Sequence, residues 1–173
     1  KTAKNLRNHG LSQMGFNLKS SNDKVQLKAG DRLVVKIGTS VITNNKNAVC
    51  DRMINNLASQ ISSLQKEGFK VIVVSSGAIA AGVHRMGWKQ KPKKISHLQA
   101  AAAVGQVSLV ETYEKEFKKN GLMTAQVVIT GEDFSSRKRY LNSRATFETL
   151  LNENILVIAN ENDTVSTDEI KVG

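Results

Sequence analysis

In the stretch RLVVKIGTSV (Arg32–Val41), Lys36 stands among Leu33, Val34, Val35 and Ile37. An ammonium buried without a partner is costly, so a lysine in such a run either has an anion to meet or lies on an edge where its head reaches water. Gly38 follows, and a glycine lets the backbone approach a ligand closely. Its amide and those of Thr39 and Ser40 can donate to phosphate oxygens. The GxxxxGK[ST] spacing of a P-loop is absent, so this is an anion site of another kind.

Two more segments carry polar residues that could do chemistry. SSGAIAAG (75–82) reads as a strand end, a glycine turn and a helix start. Free amides at such a start bind carboxylate or phosphate, and Ser76 adds a hydroxyl beside Gly77. Ordinary capping with small residues for close packing is the competing reading. NENDTVSTDEIKVG (160–173) packs Asn160, Glu161, Asn162 and Asp163 into four positions. Amides with carboxylates suit an ammonium group, a sugar or a magnesium-bound water. Asn and Asp also favour plain turns. No GxGxxG follows the first strand and no plausible Ser-His-Asp set is present, so hydride transfer and acyl hydrolysis are poorly supported. Lysines with anion-binding loops point to phosphoryl transfer, where catalysis is mostly positioning and charge neutralisation.

The elements that must position these motifs alternate from Asp31 onward. Strands are expected at 32–38, 69–76, 122–130 and 155–160. The first is expected to be buried and central. Between them a helix at 50–67 carries Ile54, Leu57, Ala58, Ile61 and Leu64 on one face, with Gly68 as its stop. A short helix follows the serine turn. A long helix from an N-cap at Ser96 to Asn120 has a slim alanine side (Ala100–Ala103), and Gly121 ends it. A further helix at 140–153 carries Tyr140, Leu141, Phe147, Leu150 and Leu151. Strands joined by helices are parallel, and parallel sheets are covered on both faces. The expected fold is a three-layer αβα sandwich of the α/β class with a mainly parallel sheet. Its strands' carboxyl ends, where ligands bind in such sheets, gather all three motifs on one rim.

The 173 residues make about one domain, with 40% hydrophobic and 23% charged residues. Residues 1–30 form a basic polar leader without sustained periodicity, and 31–173 form the folded part. Half of the net charge of +10 lies in that leader. The rest gathers in HRMGWKQKPKK (84–94), KK (118–119) and RKR (137–139). With only 5% aromatics there is little for bases to stack on, so nucleic acid is not the expected partner. The lone Cys50 fits a reducing, cytoplasmic setting, and three scattered histidines show no metal-ligand spacing. No apolar run reaches membrane-spanning length.

VVKIGTSV, VIVVSSGAIAAG, LQAAAAVGQ, YLNSRATFETLL and IANENDTVSTDEIKVG, in this order and spacing, resemble the glutamate 5-kinases of the amino-acid-kinase superfamily. The match covers residues 32–173. Kinases of aspartate, acetylglutamate or UMP share the fold and the first-strand lysine, but the serine and asparagine segments look more like the glutamate enzymes. The resemblance implies that ATP with Mg2+ phosphorylates L-glutamate to glutamyl 5-phosphate, the first step of proline synthesis. It implies that Lys36 bridges the attacking carboxylate and the transferring group, with Gly38 and Thr39 on the phosphates. Ser76, Gly77, Asn160 and Asp163 would contact glutamate, and Lys171 would lie on the same rim. Proline as feedback inhibitor and a homo-oligomer, with the alanine-rich helix against a partner, are implied in the same way. In the family the nucleotide-binding half follows IKVG, so a chain ending at Gly173 is expected to be a fragment, inactive alone. A fragment that binds glutamate or proline without turnover is the alternative.

Overall fold

The computed structural model describes residues 27–43 and 48–166. Most of the leader, Lys171 and the IKVG segment lie outside the described residues. The elements run β1 (Arg32–Lys36), α1 (Thr39–Ile42), α2 (Asp51–Lys66), β2 (Lys70–Val74), α3 (Ala78–Arg85), α4 (Ile95–Lys119), β3 (Thr124–Ile129), α5 (Gly131–Ser135), α6 (Arg137–Asn152) and β4 (Leu156–Glu161).

All four strands are parallel, in the order β1-β2-β4-β3. The steps β1→β2 and β2→β3 run in one direction across the sheet, and β3→β4 runs back. Right-handed crossovers then place α2, α3 and α4 on one face and α6 on the other. Burial follows this division. Val71, Val73, Leu156 and Ile158 join Ile54, Ile61, Leu109 and Phe117 in the main core. Val157 and Ala159, which alternate with them along β4, are buried on the opposite face, where α6 packs and Leu151 is buried.

The expected periodicity of α2 holds, with Ile54, Leu57, Ala58 and Ile61 buried and Leu64 packed against them. Gly68 and Gly121, at φ +90° and +76°, turn the chain after α2 and α4 in the left-handed region where a side chain is strained. The alanine side of α4 is used inside the chain: Ala101, Ala102 and Gly105 are buried, and α3 packs there. A Cβ on Gly82 would sit 1.8 Å from the Ala101 carbonyl oxygen, and one on Gly105 1.8 Å from that of Ala78. The two helices therefore touch backbone to backbone.

Several expectations are corrected. β1 is an edge of the described sheet, not a central strand. Its residues alternate between exposed and half-buried, and Val34 is 65% exposed. Only one of its faces meets the core, so its apolar run does not mean burial on both sides. The strand also ends at Lys36, before Gly38. Lys94, not Ser96, is the N-cap of α4: its carbonyl accepts from the amides of His97 and Leu98. The last helix starts at Arg137 rather than 140, and Tyr140 and Leu141 in its first half are exposed. Among the described residues no helix is long and apolar enough to cross a membrane.

Candidate active site at the carboxyl ends of the strands

The register puts Lys36 beside Val74, and Val74 beside Ala159, so the ends of β1, β2 and β4 stand in one row. The backbone extends the row past the strands. Ile37 donates its amide to the Val74 carbonyl at 2.8 Å, and Ser75 donates to that of Ala159 at 2.8 Å. Each of the three polar motifs begins where this row ends.

At the first of them Lys36 is exposed, and its side chain makes no hydrogen bond or ion pair among the described residues. Among the described residues the Lys36 side chain lies on the exposed face of β1. Gly38 has φ −77° and ψ 158°, open to any residue, and no atom lies within 4 Å of where its Cβ would be. What glycine provides there is free space over the backbone. Thr39 and Ser40 begin the single turn of α1, and Val41 closes it by donating to the Gly38 carbonyl at 3.0 Å. The first amides of a helical turn have no partner within it.

The serine turn joins this loop directly. Ser76 Oγ lies 3.1 Å from Thr39 Oγ1. Gly77 adopts φ +93° and caps α3, and its missing Cβ leaves contact room for Ile42 and Thr39. The Ser76 hydroxyl and the start of α3 thus adjoin the Thr39 side chain. Ser75 points the other way. Its Oγ lies 3.0 Å from the buried Tyr113 hydroxyl on α4 and donates to the Ser76 carbonyl at 3.3 Å.

Asn160 and Glu161 end β4, and a turn runs through Asp163, Thr164 and Val165. Asn160 is 2% and Asp163 7% exposed. Asn160 Nδ2 donates to Gln106 Oε1 at 2.8 Å, and its Oδ1 accepts from the Glu161 amide at 3.0 Å. The turn is closed by Ser166 donating its amide to the Asn162 carbonyl at 2.9 Å and its hydroxyl to Glu161 Oε1 at 2.6 Å. Buried amide and carboxylate groups on a fixed turn can receive an ammonium or hydroxyl without reorganising.

The fold therefore assembles Gly38, Thr39, Ser76 and Gly77 into one corner and brings Asn160 and Asp163 to the adjoining strand end. Lys36 stands at the outer end of the row, on the opposite face of the sheet from Ile37. Sequence reasoning missed Gln106 and Tyr113. Both sit on α4 two turns apart, and each reaches a different motif. Gln106 lies inside the LQAAAAVGQ segment, but nothing local tells a glutamine that meets a distant asparagine from one that meets water. Among the described residues no group of three or more His, Cys, Asp or Glu is placed to hold a metal ion.

Burial pushes the Tyr113 hydroxyl up to about 12, with its bond to Ser75 pulling the other way. The folded chain keeps this proton where the unfolded chain, near pKa 10, sheds it. Stability from this group is whole below about pH 10 and is lost as pH rises through about 12. At about pH 11 the wild type should have lost about 1 kcal/mol through this group relative to about pH 9. Tyr113→Phe should lack that part of the decline, which urea unfolding of both proteins at the two pH values measures.

The amino acid kinase family model matches residues 31–173. The chain is 50% identical over 148 residues to the glutamate 5-kinase of Azoarcus sp. (strain BH72), covering 86% of this chain and 40% of that one. It is 51% identical over 147 residues to the glutamate 5-kinase of Nitrosospira multiformis, covering 85% and 40%. The chain thus spans about 40% of the length of the curated relatives it matches. Among solved structures, a carbamate kinase from Giardia lamblia bound to AMP-PNP aligns over 78% of this chain and 56% of its own, with TM-score 0.47 and 16% identity.

Proposed function

The chain belongs to the amino acid kinase family, and from that premise we propose that it is the amino-acid-substrate portion of an ATP-dependent kinase that phosphorylates the side-chain carboxylate of L-glutamate. The observation that carries this reading is the single row formed by the ends of β1, β2 and β4, with the Thr39–Ser76 contact joining the first two motifs. The half identity to two glutamate 5-kinases supports glutamate over the other acids and nucleotides of the family.

The chemistry suits the residues. A glutamate side chain has a pKa of about 4.3, so near pH 7 it is ionised and is its own nucleophile. No general base is needed. The difficulty is to bring one anion to another, and cations and amide dipoles meet it. Lys36, a cation with no competing partner among the described residues, neutralises charge between the carboxylate and the phosphoryl group. The amides at Gly38 and Thr39 hold phosphate oxygens, and the open space over Gly38 admits them. Ser76 and the amide at Gly77 hold a glutamate carboxylate. Asp163 and the Asn160 carbonyl oxygen receive its ammonium. ATP with Mg2+ supplies the phosphoryl group and part of the charge neutralisation. No described residue is assigned to the metal. Proline, sharing the α-amino and α-carboxylate groups of glutamate, would compete at the same contacts. A homo-oligomer working in the cytoplasm, where ATP is supplied, completes the reading.

The test is ADP release by the full-length protein with glutamate, aspartate or UMP as acceptor. Glutamate-dependent release is expected. Release with aspartate or UMP and none with glutamate overturns the substrate assignment. Within that assay Asp163→Asn keeps the side chain's volume and removes its charge. A charge-assisted hydrogen bond is worth about 1.5–3 kcal/mol, so KM for glutamate should rise about 10- to 100-fold. KM for ATP should stay within about twofold, and equal rises in both would place Asp163 elsewhere.

A further inference from the structure

We propose that Gln106 is a positioning residue that fixes the orientation of the Asn160 carboxamide at the substrate rim; this rests on the reading that Asn160 meets glutamate. An asparagine amide has two nearly isosteric orientations that exchange oxygen and nitrogen. Which one a buried Asn160 adopts decides whether the rim presents an acceptor or a donor to an incoming ammonium.

Two groups hold the choice. The Glu161 amide, a backbone donor that cannot be reversed, bonds Oδ1 at 3.0 Å. Gln106 Oε1 takes Nδ2 at 2.8 Å. Flipping Asn160 would set donor against donor at Glu161. Without Gln106 the buried Nδ2 would lack that acceptor, and a buried donor is expensive to leave unmet. The orientation shown would lose one of its two supports.

Gln106 can do this because its own position is rigid. Its neighbour Gly105 is pressed on the backbone of α3, with the Ala78 carbonyl oxygen 1.8 Å from where a Cβ would lie. Ala78 opens the helix that follows Gly77. One point on α4 therefore sets both the start of α3 and the asparagine of β4, which lies 54 residues further along the chain. Beside Gln106 lies a cavity of about 180 Å³, lined in part by Ser75, Tyr113, Gln126 and Ile158. Its lining mixes polar and apolar side chains, and it is large enough for water. A small side chain at 106 would let water take over as acceptor, whereas an apolar side chain of similar size would not.

The test uses three variants of the full-length protein: Gln106→Leu, Gln106→Glu and Gln106→Met. Gln106→Leu should raise KM for glutamate about 10-fold or more, with KM for ATP within about twofold. Gln106→Glu retains an acceptor for Nδ2 and should return KM for glutamate to within about threefold of wild type. If Gln106→Leu does not fold, Gln106→Met, apolar and of similar size, is read for the same split. A folded Gln106→Leu with wild-type KM for glutamate overturns the proposal. So does an equal shift in both KM values, or a Gln106→Glu protein that behaves like Gln106→Leu. If the wild type releases no ADP with glutamate, it is the substrate reading that fails. The link is then read from urea midpoints of Gln106→Leu, Asn160→Ala and the double variant. Non-additive shifts support it and additive shifts overturn it.

Discussion

Lys36→Ala in the full-length protein is expected to lower kcat for glutamate-dependent ADP release by about 100- to 1000-fold, the loss typical of removing one group that stabilises transition-state charge. The same change should leave the fold nearly untouched. Among the described residues Lys36 is exposed at the last position of an edge strand, and its side chain makes no hydrogen bond or ion pair. Substitutions at such sites usually move stability by less than about 0.5 kcal/mol. Steady-state kinetics and a thermal melt of the same preparation check both halves. Lys36→Arg separates charge from shape: a guanidinium keeps the charge on a different fork of donors, so it should recover only part of the rate. Unchanged kcat in Lys36→Ala would leave Lys36 as a solvated edge lysine, and the phosphate-neutralising role would have to move to another cation.

The largest effect on stability is expected from Gly105→Ala. The added methyl would lie 1.8 Å from the Ala78 carbonyl oxygen and 2.4 Å from the Gly82 amide nitrogen. Both are backbone atoms of α3, so no side-chain rotation relieves the clash and the helices must move apart. Gly82 makes the reciprocal approach to Ala101, so separation at one glycine also opens the other. Overpacking of a close contact costs about 1–3 kcal/mol and sometimes more. With no flexible neighbour to yield, about 3 kcal/mol or above is expected, a drop in Tm of about 6–12 °C for a domain of this size. Ala103→Ser, on the exposed side of the same helix, is the control and should shift Tm far less. The damage should also reach the rim, because α3 begins immediately after Gly77 and its movement carries the serine turn with it. A Gly105→Ala protein with wild-type Tm would mean that the helices have room not evident in their packing.

Gly105 also shows how far the sequence could be read. The alanine run before it made α4 visible as a helix with a slim side, and the glycines after α2 and α4 marked where the chain turns. Such features follow from backbone preference and from spacings of two and 3.6 residues, which act over a few neighbours. The slim side's partner was not visible. Within the described residues α3 packs on that side, which the stripe could not name because small residues say only that something comes close.

The site divides in the same way. The residue types at Lys36–Ser40, Ser75–Gly77 and Asn160–Asp163 pointed to a kind of chemistry, and the alternation that makes their strands parallel placed the three motifs on one rim. That was legible because a β-α-β connection leaves little freedom over which ends of the strands coincide. The position of β1 at an edge, the exposure of Lys36 and the links from α4 to Ser75 and Asn160 were decided only by the tertiary structure. Ser75 and Tyr113 are 38 residues apart, and Gln106 and Asn160 are 54 apart. Neither pair shares a local signal. Burial belongs to the sheet order rather than to the strand: the run around Lys36 reads the same in the middle of a sheet as at its border, and only the neighbours on either side settle whether its lysine meets protein or water.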